Sequence, residues 1–216
     1  IPNLPTKHKP ALPREELPEF YRRLILATNI ERQNKIAIML IMLVFVRNNE
    51  LRGGQWQEVD FKNKRWIIPA ERMKHEKMKP KPALCVPLSD WAIELLQELH
   101  TLTGHSRFMF PSRTNVNRHI SENTLGKIIN EKLGYKGRAT PHGFRAVASS
   151  LLYENNFNGG AIETQLAHVE ENKIKDSYAY QADYMPQRIE FMQWYSDYLR
   201  ERYNQALQMI QKDKAN

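Results

Sequence analysis

A histidine and an arginine lie where a folded chain could bind a phosphate. His142 and Arg145 are three residues apart, in a segment that Thr140 and Pro141 mark as the start of a helix. They therefore share one face of that helix. The first turn of a helix presents unpaired backbone N–H groups and the positive end of the helix dipole, and both attract anions. The spacing is compatible with a phosphate-binding pair, although a capping histidine beside a surface arginine explains the two residues alone more simply.

A second arginine follows the most apolar part of the chain. Residues 36–46 form an uninterrupted apolar run of eleven residues, and Arg47 comes directly after it. A charge at the end of a buried helix must face a cleft or pair with an acid, and Glu50 is three residues away. The pattern predicts an Arg47–Glu50 pair, which is compatible with a structural ion pair and with an anion-binding arginine held rigid by Glu50.

The C-terminal third contains a further histidine and a candidate nucleophile. His168 closes a short helical pattern, and Tyr178 follows ten residues later. A tyrosine can act as a nucleophile in covalent catalysis. The chain has nine tyrosines, and spacing alone does not choose between Tyr178 and its neighbours Tyr180 and Tyr184. No zinc-binding motif or glycine-rich nucleotide loop accompanies these residues, and the pattern implies no metal or cofactor.

A strongly basic stretch lies near the middle of the chain. Residues 62–81 contain eight Lys or Arg and two Glu, while the whole chain has a net charge of +8. A polyphosphate is a natural partner for such a concentrated positive charge. A membrane surface is less favoured, because no amphipathic helix accompanies the basic stretch. A solvated hairpin tip is the structural alternative. The candidate DNA contacts in the stretch are Lys62, Lys64, Arg65, Arg72, Lys77, Lys79 and Lys81.

The elements that must position these residues are mostly helical, with one small antiparallel sheet. Apolar periodicity and capping signals predict helices, while short β-prone runs separated by turn residues predict strands. The predicted helices cover residues 13–26, 31–46, 89–102, 122–133, 141–155, 161–167, 173–180 and 186–211. The predicted strands cover residues 59–61, 66–69 and 83–88.

Length and composition indicate an ordinary globular domain. The 216 residues are enough for a substantial core, and the single cysteine, Cys85, excludes an intramolecular disulfide and fits a reducing compartment. Residues 1–13 hold four prolines and are predicted to be a linker or an extended lead-in. Residues 14–216 are predicted to form one domain. The apolar run 36–46 is too short to cross a bilayer.

Taken in order, these segments resemble the catalytic domain of the tyrosine recombinases, and especially the integrases of P4-like phages and genomic islands. Residues 46–53 (VRNNELRG) resemble the family's first arginine box. Residues 66–74 (WIIPAERMK) are similar to its β-hairpin with the catalytic lysine. Residues 142–145 (HGFR) match its His-x-x-Arg box, residues 162–168 are similar to its second histidine box, and Tyr178 falls at the position of the nucleophile.

The resemblance implies a site-specific recombinase that cuts and rejoins DNA without a metal or cofactor. Tyr178 would attack a phosphodiester, form a 3′-phosphotyrosyl link and release a 5′-hydroxyl. Arg47 and Arg145 would bind the non-bridging oxygens, and Lys74 would protonate the leaving oxygen as general acid.

The remaining members of the set have supporting roles in this resemblance. His142 would help to accept the tyrosine proton, His168 would hydrogen-bond the phosphate, and Glu50 would orient the arginine side. Lys77, Lys79 and Lys81 lie on the same loop as the general acid and are possible substitutes for it.

The resemblance also implies partners and a wider domain organisation. The expected partner is double-stranded DNA at attachment sites, bound by a homotetramer that is monomeric when free, with accessory DNA-bending or excision factors and no membrane. The expected location is the bacterial cytoplasm, at the nucleoid. Integrases of this subgroup carry arm-binding and core-binding domains that have no counterpart here, so a catalytic fragment of a longer chain is expected. The segment after Pro186 would pack on its own domain or reach a neighbouring subunit.

Three other functions remain open at this point. A degenerate recombinase would bind DNA without forming a covalent adduct. A type IB topoisomerase-like enzyme would share the chemistry without exchanging strands. An RNA-binding or membrane-surface module would use the basic stretch alone and would leave the ordered arginine, histidine and tyrosine boxes unexplained.

Overall fold

The computed structural model of the chain describes residues 10–73, 82–167 and 183–215. They form the predicted arrangement, mainly helical with a small antiparallel sheet. The α-helices among these residues are α1 (Leu17–Leu26), α2 (Arg32–Val44), α3 (Asn48–Arg52), α4 (Asp90–Thr103), α5 (Thr124–Lys127), α6 (Pro141–Glu154), α7 (Gly159–Gln165) and α8 (Met185–Ala215). Short 3-10 turns cover Arg14–Glu16, Trp56–Glu58 and Ala70–Arg72.

Helix α2 is the centre of the core. Its second half is apolar on every side, and residues 36–46 are all buried, as their composition predicts. The helix packs against α4, α6 and α8. It ends at Phe45, which adopts a left-handed backbone conformation with φ 59° and packs its ring against Tyr195 at a centroid distance of 5.0 Å. Val46 is still buried after this turn, and Arg47 is the first residue beyond it that reaches solvent.

The predicted sheet has three antiparallel strands in the order β1 (Val59–Asp60), β2 (Arg65–Ile68) and β3 (Leu84–Pro87). Strand β2 alternates between its faces, with Trp66 and Ile68 buried and the intervening positions exposed. Residues 74–81, which join the turn after β2 to β3, lie outside the described residues.

A second, two-stranded sheet was not predicted. Strands β4 (Pro111–Ser112) and β5 (Asn115–His119) form a hairpin. Almost every residue of β5 is exposed, so its sequence lacks the apolar alternation by which a half-buried strand is identified. The helix predicted over 122–133 forms, but as α5 followed by a π-helical turn over Ile128–Lys132.

Side-chain caps set the starts of the helices around the site. The Thr140 hydroxyl accepts a hydrogen bond from the Gly143 N–H at 2.9 Å, and Pro141 occupies the first turn, so α6 begins where its sequence predicts. Ser89 caps α4 by accepting from the Ala92 N–H at 3.3 Å.

The long C-terminal helix α8 docks on its own domain. It packs against α1, α4 and α2, and Met192, Tyr195 and Leu199 are buried while Ile189 is half exposed. The first of the two alternatives for this segment therefore accounts for most of its apolar stripe. The helix predicted over 173–180 lies outside the described residues. None of the described helices is long and apolar enough to span a membrane.

Candidate active site

Arg47 is fixed at the start of α3 by the acid three residues beyond it. The Glu50 carboxylate accepts from the Arg47 backbone N–H at 2.7 Å and from its guanidinium at 3.1 Å. Glu50 is only 2% exposed, whereas Arg47 is partly open to solvent. A third contact joins Arg47 Nη2 to the Ala167 carbonyl at 3.3 Å. The predicted pair is therefore present, and it leaves the arginine at a surface that a ligand could reach.

Arg145 reaches the same place from the second turn of α6. It is buried and donates hydrogen bonds to two main-chain carbonyls, those of Phe45 and, at 2.7 Å, Leu166. Burial, followed by the positive charge of Arg47, lowers the pKa of Arg145 from its ordinary value to about 10. Arg145 therefore remains charged at neutral pH.

The electrostatics of this pair favour an anion. Two guanidinium groups that repel each other are stabilised when a negative charge binds between them. Glu50 and Glu163 offset part of the repulsion, since their charges raise the pKa of Arg145. His142 is exposed in the first turn of the same helix, three residues before Arg145. The structure thus brings the two arginines together and places His142 at the start of the helix that carries Arg145.

Two buried polar residues beside the arginines, Gln165 and Arg188, were not predicted as site residues. Gln165, which is fully buried, donates to the Val44 carbonyl at 3.2 Å and accepts from Arg188 at 2.8 and 3.0 Å. A signal for Arg188 was available, because this charge occupies the same helical stripe as Met192 and Tyr195. A charged residue within a buried stripe indicates a partner inside the domain.

Several predicted site residues lie outside the described part of the chain. They are Lys74, Lys77, Lys79, Lys81, His168 and Tyr178. The rival Tyr180 lies there too. The other rival, Tyr184, is described and packs its hydroxyl against Gly160 at the start of α7.

The remaining basic residues of the hairpin are on or near its surface. Lys62 and Arg65 are exposed, and Lys64 pairs with Asp90 at 2.6 Å. Arg72 instead turns inward, with Nη2 at 2.8 Å from Glu58 Oε2 and at 3.1 Å from the Glu50 carbonyl. Arg72 therefore ties the turn before Lys74 to the helix that carries Glu50.

Metal ligands are not clustered in the described parts of the chain. No group of three or more His, Cys, Asp or Glu side chains is placed there to hold a metal ion.

Comparison with curated proteins shows relatives over nearly the whole chain. The chain is 36% identical to the integrase of Enterobacteria phage P4, covering 96% of this chain and 50% of that protein. It is 35% identical to the integrase of Shigella phage Sf6, covering 91% of this chain and 49% of that protein. The chain thus spans about half the length of these relatives.

Solved structures share the fold at lower identity. The integrase of mycobacterium phage Brujita superposes with a TM-score of 0.64 at 15% identity, over 95% of this chain and 66% of that one. A lambda integrase dimer bound to a core site gives a TM-score of 0.55 at 16% identity, over 82% of this chain and 61% of that one. These matches show the catalytic-domain fold of the tyrosine recombinases.

The family assignment follows from the match along the chain itself. The model of the phage integrase family matches residues 12–185, which include both arginines of the site and the segment that carries Tyr178. With the P4 and Sf6 integrases as relatives, the chain belongs to the phage integrase family, as a tyrosine recombinase of the P4-like type.

Proposed function

We propose that this chain is the catalytic domain of a site-specific DNA recombinase that integrates and excises a phage or genomic island. The observation that carries the proposal is the convergence of Arg47 and Arg145, which start from different helices and donate to the adjacent carbonyls of Ala167 and Leu166. A phosphodiester is the anion that fits a pair of arginines on a basic protein, since each guanidinium can bind a non-bridging oxygen.

The proposed reaction is a phosphoryl transfer to tyrosine. The Tyr178 hydroxyl oxygen attacks phosphorus, the bond to the 5′-oxygen breaks, and a 3′-phosphotyrosyl link forms. His142 helps to accept the tyrosine proton, and Lys74 gives a proton to the leaving oxygen, which departs as a 5′-hydroxyl. Attack by a 5′-hydroxyl reverses each step, so rejoining consumes no further energy source.

The arginines stabilise the negative charge that builds on the non-bridging oxygens of the phosphate during this step. Glu50 holds Arg47 by both its backbone and its side chain, and this pre-orientation lowers the cost of binding the transition state. His168 completes the set by hydrogen-bonding the phosphate.

The proposed substrate is double-stranded DNA at attachment sites. The basic stretch supports this substrate, and the structural relatives include integrases solved in complex with DNA. We further propose a monomer that forms a homotetramer on DNA, works with accessory bending or excision factors, and acts at the nucleoid in the bacterial cytoplasm. Residues 14–216 would be the catalytic domain, preceded by a lead-in.

Covalent capture tests the proposal. The chain is incubated with supercoiled plasmid and with a nicked duplex, and the reaction is quenched with SDS. A DNA-linked protein band is expected for the chain and for the matched control Tyr180→Phe, and its loss is expected for Tyr178→Phe. DNA binding without an adduct would favour a non-catalytic binder, whereas plasmid relaxation with no recombinant product would favour a topoisomerase-like enzyme.

A further inference from the structure

A buried arginine outside the proposed catalytic set lies in the first turn of α8. Arg188 is only 2% exposed. A buried guanidinium requires oxygen acceptors, because its desolvation is costly. Here the acceptors are the Gln165 side-chain oxygen and the carbonyls of Asp183, at 3.2 Å, and Cys85. One side chain therefore joins three separate segments of the chain.

One branch of these contacts leads to the phosphate-binding arginines. The Gln165 side chain accepts a hydrogen bond from Arg188 and donates one to the Val44 carbonyl at 3.2 Å. Val44 precedes Phe45, whose carbonyl accepts from Arg145, and Arg47 follows two residues later. The end of α2 is thus held by Arg145 at the Phe45 carbonyl and by the Gln165–Arg188 pair at the Val44 carbonyl.

The other branch leads to the segment that carries Tyr178. Residues 168–182 are bounded by Ala167 and Asp183. The Ala167 carbonyl accepts from Arg47, and the Asp183 carbonyl accepts from Arg188. Both boundaries of this segment are therefore tied to the residues that surround the arginine pair.

We propose that Arg188 is a positioning residue, which through Gln165 fixes the exit of the Tyr178-bearing segment relative to Arg47 and Arg145. The inference rests on the proposed function. It assigns Arg188 no contact with DNA and no proton transfer. Loss of Arg188 therefore slows the attack by tyrosine, because a nucleophile displaced by about 1 Å reacts roughly 100-fold more slowly.

The contact between Arg188 and the Cys85 carbonyl suggests a different role for Arg188, which a modified substrate can distinguish from the proposed one. Cys85 lies in β3, the strand that follows the lysine-bearing segment 74–81, so Arg188 could act on the general acid instead. A substrate with sulfur in place of the bridging 5′-oxygen releases a thiolate, which leaves without a proton. Such a substrate bypasses Lys74 but still requires Tyr178.

The test compares Arg188→Met and Arg188→Lys with Arg200→Met. Arg200 is a matched control, because it also lies on α8 but pairs with Glu94 at 2.7 Å on the domain surface. The single-turnover rate of adduct formation is measured on oxygen and sulfur substrates, together with the dissociation constant for DNA.

The expected result is a fall of about 100-fold in adduct rate for Arg188→Met on both substrates. The dissociation constant should stay within about threefold, because the phosphate contacts remain. Arg188→Lys should recover part of the rate, since it keeps the charge and loses the planar fork, and Arg200→Met should match the unmodified chain. Rescue by the sulfur substrate, or unchanged rates, would overturn the proposal.

Amide hydrogen exchange gives a readout that does not depend on catalysis. Arg188→Lys should speed exchange in peptides covering 159–167 and 183–190 and leave 90–103 unchanged. If the unmodified chain forms no adduct, the proposed function is contradicted, while exchange still tests the anchoring by Arg188. Unchanged exchange in both peptides would overturn that anchoring.

Discussion

At the scale of single residues, the arginine pair has unequal anchoring. Arg47 binds a carboxylate, but the hydrogen-bond acceptors of Arg145 are the carbonyls of Phe45 and Leu166. Carbonyls satisfy the N–H groups of a guanidinium without neutralising its charge. The pair therefore retains a net positive charge that a bound anion would compensate.

We predict that inorganic phosphate stabilises the chain by binding between Arg47 and Arg145. At ten times its dissociation constant, a ligand of the native state adds about 1.4 kcal/mol to the free energy of unfolding. Thermal unfolding over a phosphate series at constant ionic strength measures this gain. Arg47→Gln should abolish it, whereas Arg113→Gln, at a highly exposed arginine, should retain it. An equal gain in both variants would contradict a site at the pair.

Part of this site could be predicted from the sequence. The Arg47–Glu50 pair follows from their spacing, because residues three apart meet on a helix. The two carbonyl partners of Arg145 could not be predicted, since they depend on how the ends of α2 and α7 meet α6 in space. Neither carbonyl has any signature in the sequence.

At the scale of elements, the start of α6 sets the direction of Arg145. The Thr140 hydroxyl accepts from Gly143 and lies 3.3 Å from the Pro10 carbonyl. It thereby links the cap to residues that precede α1. Loss of this cap would loosen the turn that presents His142 and Arg145.

We predict that Thr140→Ala lowers the free energy of unfolding by about 1 kcal/mol, the usual cost of losing an N-cap. Thr140→Ser, which keeps the hydroxyl, should lose less than half as much. Thr101→Ala serves as a control at an exposed threonine of α4. Urea unfolding measures all three variants. A loss for Thr140→Ala no larger than that for Thr101→Ala would argue against the cap.

The turn before Lys74 is held in place by Arg72, and this anchoring bears on the proposed general acid. Arg72 holds Ala70–Arg72 against Glu58 and the carbonyl of Glu50. Met73, the next residue, is buried. These contacts fix the base from which the proposed general acid extends.

We predict that Arg72→Met slows adduct formation on an oxygen substrate by about tenfold or more, because a displaced general acid loses part of its 10²–10⁴-fold contribution. The bridging sulfur substrate should restore the rate, in contrast to the result expected for Arg188→Met. Arg65→Met, at an exposed position of β2, controls for the loss of one positive charge. A defect of equal size on both substrates would show that Arg72 does not act through the lysine.

Elements were predictable where a repeating pattern or a cap marks them. Helices α2, α4 and α6 and the three-stranded sheet agree with their apolar periodicity and capping residues. The β4–β5 hairpin was missed because its strands are short and exposed, and the π-helical turn 128–132 was missed because the same periodicity describes an ordinary helix. The position of a buried charge such as Arg188 depends on packing between elements distant in sequence.

At the scale of the whole molecule, α8 closes the domain by packing along α1. Tyr203 makes edge-on or tilted ring contacts with Tyr21 at 5.5 Å and Trp91 at 5.4 Å. These rings join the C-terminal helix to α1 and α4. Because Arg188 lies in the first turn of α8, the docking of the helix sets the position of that arginine.

We predict that Tyr203→Ala lowers the free energy of unfolding by about 2 kcal/mol or more, through lost apolar burial and lost ring contacts. Met209→Ala, at an exposed position of the same helix, should cost less than about 0.5 kcal/mol. Chemical denaturation gives both values. Similar small losses would indicate that this end of α8 contributes little to the stability of the domain.

The most direct test of the account is to identify the residue that becomes linked to DNA. The SDS-trapped complex is digested with nuclease and protease, and the peptide that carries the nucleotide is sequenced by mass spectrometry. We predict a phosphotyrosyl nucleotide on Tyr178. A nucleotide on Tyr180 or Tyr184, or on a residue other than tyrosine, would contradict the proposed assignment.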